Sequence, residues 1–221
     1  MWLIDKPAQL TSHDVVARVR KLTGVKRVGH AGTLDPLATG LLIVLVGREE
    51  TKQQYKFLIL PKIYEVAITF GATSSTDDAE GELTRVADPS KITRADISSA
   101  GKKFIGTIQQ RPPVFSAVHY HGKRAYRLAR QNAITITDLP ERSVTISQIE
   151  ILDWTKPVVR LRVACSHGTY IRSLARDIGA ALQVGGYVSV LRRIQIGSYN
   201  VAEAISLAQL TLNQTTPIPL K

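Results

Sequence analysis

Apolar and polar positions along the chain change period several times, and each change predicts an element. Over residues 11–22, Val15, Val16, Val19 and Leu22 recur at helical spacing while Arg18 and Lys21 point elsewhere. Thr11 with Asp14 forms a capping pair before this helix, and Gly24 stops it. A loop rich in Gly and His then leads to the apolar strand 41–46. Residues 63–70 alternate as a strand, with Tyr64, Val66, Ile68 and Phe70 on one face, and a turn-rich loop follows over 71–81. Thr93 with Asp96 caps a second helix that runs to residue 104. Arg111-Pro112-Pro113 cannot continue a helix, so an extended excursion is expected before a short helix over 123–130. The remaining pattern gives strands at 143–152 and 158–165, a helix over 170–182, a strand at 187–196 and a short helix at 204–210. This irregular alternation, with hairpin-like pairs, favours an α+β fold over a doubly wound parallel sheet. No repeat or linker interrupts it, so one domain over residues 1–221 is expected.

Composition narrows the class. With 221 residues, 44% hydrophobic and 21% charged, the chain is long enough to bury a core and too apolar to be disordered. Its longest apolar run, residues 41–46, is far too short to span a bilayer, and the N-terminus lacks the pattern of a secretory signal. A single cysteine, Cys165, and the absence of Cys/His spacing for zinc point to a reducing cytoplasm and to no metal. No cofactor motif is present either.

The formal charge of +11 is unevenly spread. Between residues 15 and 48 the charged side chains are Arg18, Arg20, Lys21, Lys26, Arg27 and Arg48 against one acid, Asp35. Between residues 101 and 130 there are Lys102, Lys103, Arg111, Lys123, Arg124, Arg127 and Arg130 with no acid, interleaved with Phe104, Phe115, Tyr120 and Tyr126. Cations mixed with aromatics suit RNA, guanidinium groups holding phosphates while rings stack on bases. A solvated basic face is the plainer alternative.

The segment Gly29-His30-Ala31-Gly32-Thr33-Leu34-Asp35-Pro36-Leu37-Ala38-Thr39-Gly40 sets three glycines and a proline around that one carboxylate. A carboxylate isolated among cations suits a nucleophile or an electrostatic stabiliser better than a general acid. The competing reading is a turn that Asp35-Pro36 merely initiates. A phosphate-cradling loop is disfavoured, because no Gly-Lys-Ser/Thr ending follows and the loop runs into an apolar strand.

This segment resembles the signature of the TruB-type tRNA pseudouridine synthases, and other matches follow it in order. Lys6-Pro7 with Thr11-Ser12 is similar to the family's opening motif, and Tyr64 stands at its active-site tyrosine. Residues 71–81 resemble its Thr/Asp-rich loop, with Asp78 and Gly81 in register. Pro112-Pro113, Phe115-Ser116-Ala117, Gly122-Lys123-Arg124-Ala125-Tyr126 and Ala129-Arg130 look like its RNA-gripping insertion. Ser166-His167-Gly168-Thr169-Tyr170-Ile171-Arg172 and Leu191-Arg192-Arg193 match its last two motifs.

The resemblance implies a mixed, largely antiparallel central sheet flanked by helices, with the insertion over about 105–140. It implies conversion of uridine 55 in the T arm of tRNA to pseudouridine, without cofactor or metal. Asp35 would be the catalytic carboxylate, Arg172 its orienting partner and Tyr64 the ring that stacks on the flipped-out base. His30, Lys6, Tyr170, Leu191, Lys123, Arg124 and Arg130 would bind or support the substrate. The implied partner is the T stem-loop of tRNA, with no membrane and no obligate protein partner, and the protein would act as a monomer. Two departures stand out. His167 stands where relatives often carry Lys or another residue, and the C-terminal RNA-binding domain of PUA type that many relatives have is expected to be absent or vestigial. A tRNA-folding chaperone and a guide-RNA-dependent synthase are the alternative functions that the same residues would serve.

Overall fold

A computed structural model describes residues 1–210; the last residues of the expected single domain lie outside the described residues. Strand β1 (Trp2–Lys6) precedes helix α1 (Ser12–Thr23), strands β2 (Val28–Ala31) and β3 (Thr39–Val46), short helices α2 (Arg48–Lys52) and α3 (Gln54–Leu58), and strand β4 (Lys62–Phe70). Next come β5 (Ala72–Ser74), β6 (Leu83–Arg85), α4 (Arg94–Lys102), β7 (Gly106–Gln110), β8 (His119–Tyr120), β9 (Lys123–Arg124) and α5 (Ala125–Ala129). The long strands β10 (Arg142–Thr155) and β11 (Val158–Cys165) lead to α6 (Ile171–Ala181), β12 (Gly186–Ile196), β13 (Tyr199–Asn200) and β14 (Ile205–Ser206). This is the mixed α+β architecture expected, with parallel pairs (β1 with β14, β3 with β12) among mostly antiparallel ones. The chain divides into two compact units: Met1–Glu65 with the chain from Leu191, and Val66–Val190.

In the first unit β1 runs antiparallel to β3, from Trp2 opposite Val44 to Lys6 opposite Gly40. Both strands are buried on both faces. Trp2, Ile4, Leu42 and Val44 join Val15, Val16 and Val19 of α1 in one cluster, while Met1, Leu3, Leu41, Ile43 and Leu45 join Phe57, Ile196 and Tyr199 in another. That explains the unbroken apolar run of β3, since a strand covered on both sides has no polar face to show. Along its other edge β3 changes partner: its first residues pair with Arg192 and Arg193 of β12, its later ones with β2. The loop carrying Asp35 connects β2 to β3 at that change.

In the second unit β10 pairs antiparallel with β11 on one side and β7 on the other. The insertion forms a small module of its own, in which Val118, Ala125, Ala129, Ile134 and Leu139 are buried together. Helix α6 buries Ile171, Leu174, Ala175 and Ile178, which recur at helical spacing along one face.

Several expectations change. The Gly- and His-rich loop contains β2, held by its ladder to β3 rather than by any local signal. Residues 71–81 open with β5, which pairs with β6. The short helix expected over 123–130 shrinks to Ala125–Ala129, because Lys123 and Arg124 pair with His119 and Tyr120 across a turn with positive φ at His121 and Gly122. No helix forms at 204–210. Asn200 caps a single 3₁₀ turn at Val201–Glu203, and Ile205 and Ser206 are then drawn into parallel pairing with β1. Among the described residues no helix is long and apolar enough to cross a membrane.

Candidate active site

The loop of residues 32–38 is pinned on both sides of Asp35. Before it, Ser12, at the start of α1 and 1% exposed, donates its Oγ to the Leu34 carbonyl (3.2 Å) and accepts from the Leu34 N–H (2.8 Å). After it, the Pro36 carbonyl accepts from the Gln9 N–H at 2.9 Å and from Lys6 Nζ at 3.3 Å. Lys6 is fully buried and also donates to the carbonyls of Pro7 (2.9 Å) and Leu10 (2.6 Å), so it ties the end of β1 to the loop. Leu34 and Ala38 are buried, which anchors the loop, and Asp35 between them is half-buried.

Successive residues of a strand point to opposite faces, and β12 uses this to separate its two arginines. Arg192 forms a forked pair with Asp5 at 3.0 and 2.7 Å. Arg193 is 1% exposed and donates to the carbonyls of Leu41 (2.8 Å) and Gly32 (2.9 Å), tying the first residue of the loop to β3. Gly40 has φ +99°, and a Cβ there would lie 2.2 Å from the Arg193 carbonyl oxygen, so no other residue fits the junction. Leu191 is buried, and its carbonyl accepts from Thr39 Oγ1 at 3.4 Å. His30, on β2, meets the ring of His13 edge-on at 5.5 Å, and its Nδ1 is buried with no hydrogen-bond partner among the described residues. Burial, aided by the positive fields of His13 and Arg193, lowers its pKa to about 4, so the imidazole is neutral near pH 7. Tyr64 is half-buried on β4, on the face it shares with Val66 and Ile68.

In the second unit Arg172 lies in the first turn of α6 and is 5% exposed. Its Nη1 donates to the Thr76 carbonyl (2.9 Å), its Nη2 to the Phe115 carbonyl (3.0 Å), and Asp78 Oδ2 lies 3.6 Å from Nη1. Asp78 is itself buried and accepts from Thr76 Oγ1 (2.6 Å) and the Glu80 N–H (3.1 Å). Tyr170 precedes the helix and is fixed by a reciprocal pair with Gln110, whose side chain accepts from the Tyr170 N–H (2.8 Å) and donates to its carbonyl (3.1 Å). Lys123, Arg124 and Arg130 are all exposed on the insertion. Beside them Tyr126 has the guanidinium carbons of Arg127 and Arg130 at 6.0 and 5.7 Å from its ring centre.

The first unit thus brings together Lys6, the Asp35 loop and the part of β12 from Leu191 on, and the second gathers Arg172 and Tyr170 with the root of the insertion. Ser12, Arg193, Asp78 and Gln110 carry supporting roles that the pattern alone does not assign. Ser12, Asp78 and Arg193 each stand inside a recognisable motif, whereas nothing local marks Gln110. A crevice of about 620 Å³ in the second unit, lined by Ile97, Ile149, Ile151 and Leu161, contains none of the expected site residues. Among the described residues no cluster of His, Cys, Asp or Glu is arranged to hold a metal ion.

Comparison with known proteins accounts for nearly the whole chain. Residues 20–171 match the model of the TruB family pseudouridylate synthase N-terminal domain, and residues 172–216 that of the tRNA pseudouridylate synthase B C-terminal domain. The tRNA pseudouridine synthase B of Thermobifida fusca is 45% identical over 99% of this chain and 76% of its own length. That of Corynebacterium efficiens is 41% identical over 99% and 74%. Among solved structures, a Cbf5-Nop10-Gar1 complex contains a chain similar over 94% of this one, with TM-score 0.71 and 32% identity. This protein spans about half of that chain, 52%. The order and completeness of these matches leave one conclusion: the chain belongs to the TruB family of pseudouridylate synthases.

Proposed function

We propose that the protein converts a uridine in the T arm of tRNA, conventionally position 55, to pseudouridine, with Asp35 as the reacting carboxylate. The reaction breaks the N1 glycosidic bond, turns the uracil and rejoins it through C5. N1 gains a hydrogen and C5 loses one, so no atom is added or removed and no redox partner is required. The observation that carries this reading is the pinned loop. Ser12, Lys6 and Arg193 fix the backbone around Asp35, as a carboxylate that must meet one sugar carbon requires. Arg172 supplies a fixed cation to the same reaction. Tyr64 offers a π-face to a base taken out of its stack. His30, neutral at physiological pH, and Leu191 contact the nucleotide and its loop. Lys6 and Tyr170 support the site from behind, and Lys123, Arg124 and Arg130 grip phosphates.

The relatives at 41–45% identity carry the name tRNA pseudouridine synthase B, which favours a protein acting alone on tRNA over a guide-dependent assembly. The test is incubation of the purified protein, with no other component, with an unmodified tRNA transcript, followed by mapping of pseudouridine. Product at the T-loop uridine supports the reading. Binding without product would favour the chaperone, and product only with added guide RNA would favour the guide-dependent enzyme.

A further inference from the structure

Helix α6 carries a second arginine one turn further along that reaches the same two segments as the first and also donates its Nε to Asp177 Oδ1 on its own helix at 2.9 Å. Residues four apart lie on the same side of a helix. Arg176 Nη1 donates to Asp77 Oδ2 at 2.8 Å and its Nη2 to the Arg111 carbonyl at 3.1 Å, while Ser173 Oγ donates to that same carbonyl at 2.8 Å. Arg172 donates to Thr76 and Phe115. Both arginines therefore reach the same two segments, the loop at 76–78 and the entry to the insertion at 111–115.

The linkage between these contacts is short and stiff. Asp77 immediately follows the carbonyl that Arg172 uses, and it holds a left-handed backbone, φ +62°, which costs a non-glycine residue energy and persists where its surroundings fix it. Burial pushes the Asp77 carboxyl above its ordinary pKa, and the charges of Arg176 and Arg172 oppose that. Between Arg111 and Phe115 stand Pro112, Pro113 and Val114; both prolines are buried, and their fixed φ limits how far one carbonyl can move independently of the other. The insertion's far root is joined to the same point, since Arg111 Nη2 pairs with Glu141 at 3.1 Å. Arg172 is thus hung on two carbonyls, and Arg176 with Asp77 sets where those carbonyls stand.

We propose that Arg176, acting through Asp77 and the Arg111 carbonyl, is a positioning residue that orients the Arg172 guanidinium for catalysis. The inference rests on the function proposed above. Its test compares wild type with full-length Arg176→Gln and Asp77→Asn on an unmodified tRNA transcript. The quantities read are the single-turnover rate constant at saturating enzyme, which does not depend on how much of a preparation is folded, and the tRNA affinity. A displacement of about 1 Å in a reacting group costs on the order of 100-fold, so each variant is expected to lose about 10- to 100-fold in rate constant with its tRNA affinity preserved. A wild-type rate constant in both variants, or a loss seen wholly as weaker tRNA binding, would overturn the proposal. Should Arg176→Gln fail to fold, Asp77→Asn, which keeps the side chain's shape, decides by the same criterion. Failure of the broader reading looks different, because the wild-type protein would then form no pseudouridine.

Discussion

Removing the Ser12 hydroxyl tests how the Asp35 loop is held. Ser12 and Leu34 are 1% and 3% exposed, so neither the Leu34 N–H nor its carbonyl has water to fall back on when Ser12→Ala removes their shared partner. An orphaned buried donor costs about 1–3 kcal/mol, and the carbonyl, with a second lone pair, adds less. A loss of about 2 kcal/mol in a chain of this size lowers Tm by about 4–8 °C. The consequence for chemistry is separate from that loss. Leu34 is bonded to Asp35, so a loop freed at Leu34 lets the carboxylate drift, and about 1 Å of drift costs on the order of 100-fold in rate. Thermal denaturation measures the first effect, and single-turnover pseudouridine formation at saturating enzyme measures the second. A variant with wild-type Tm and wild-type rate constant would refute the claim that this hydroxyl fixes the loop.

Two further outcomes are expected. Because burial lowers the His30 pKa to about 4 in the folded state from 6.5, the unfolded chain binds more protons between those values. Its contribution to stability is therefore complete above pH 6.5 and is lost as pH falls toward 4, at up to about 1.4 kcal/mol per pH unit. Tm measured across that window should flatten in His30→Gln, and an unchanged slope would contradict the assignment. For tRNA binding, the triple variant Lys123→Ala, Arg124→Ala, Arg130→Ala should make log affinity against log salt shallower by about 2–3, since each phosphate contact contributes about 0.7–0.9. An unchanged salt slope would remove these residues from the RNA contact.

The elements legible in the sequence are those whose signals are local. Helix α1 is bounded by Thr11 with Asp14 and by Gly24, and both caps form, the latter with φ +68°. Helix α6 declares itself through Ile171, Leu174, Ala175 and Ile178. By contrast α2 and α3 start at Gly47 and Gln53 with no side-chain cap, and β2 is four residues containing Gly and His, so each depends on what it packs against. The candidate site divides in the same way. Asp35 stands out because of its isolation among cations, and the resemblance points to Tyr64 and Arg172. What supports them is joined across large separations: Ser12 to Leu34, Arg193 to Gly32, Gln110 to Tyr170. Sequence also cannot tell which of two adjacent arginines turns inward; strand parity and the Asp5 carboxylate keep Arg192 outside and send Arg193 into the core.

The proposed function places the isomerisation on one carboxylate held by its loop. Asp35→Asn keeps the size and shape of the side chain while removing its charge. This variant should bind an unmodified tRNA transcript as wild type does, yet form pseudouridine at least about 10⁴-fold more slowly in single turnover, a loss typical of deleting an essential reacting group. Pseudouridine formed by Asp35→Asn at a rate near that of wild type would contradict that reading.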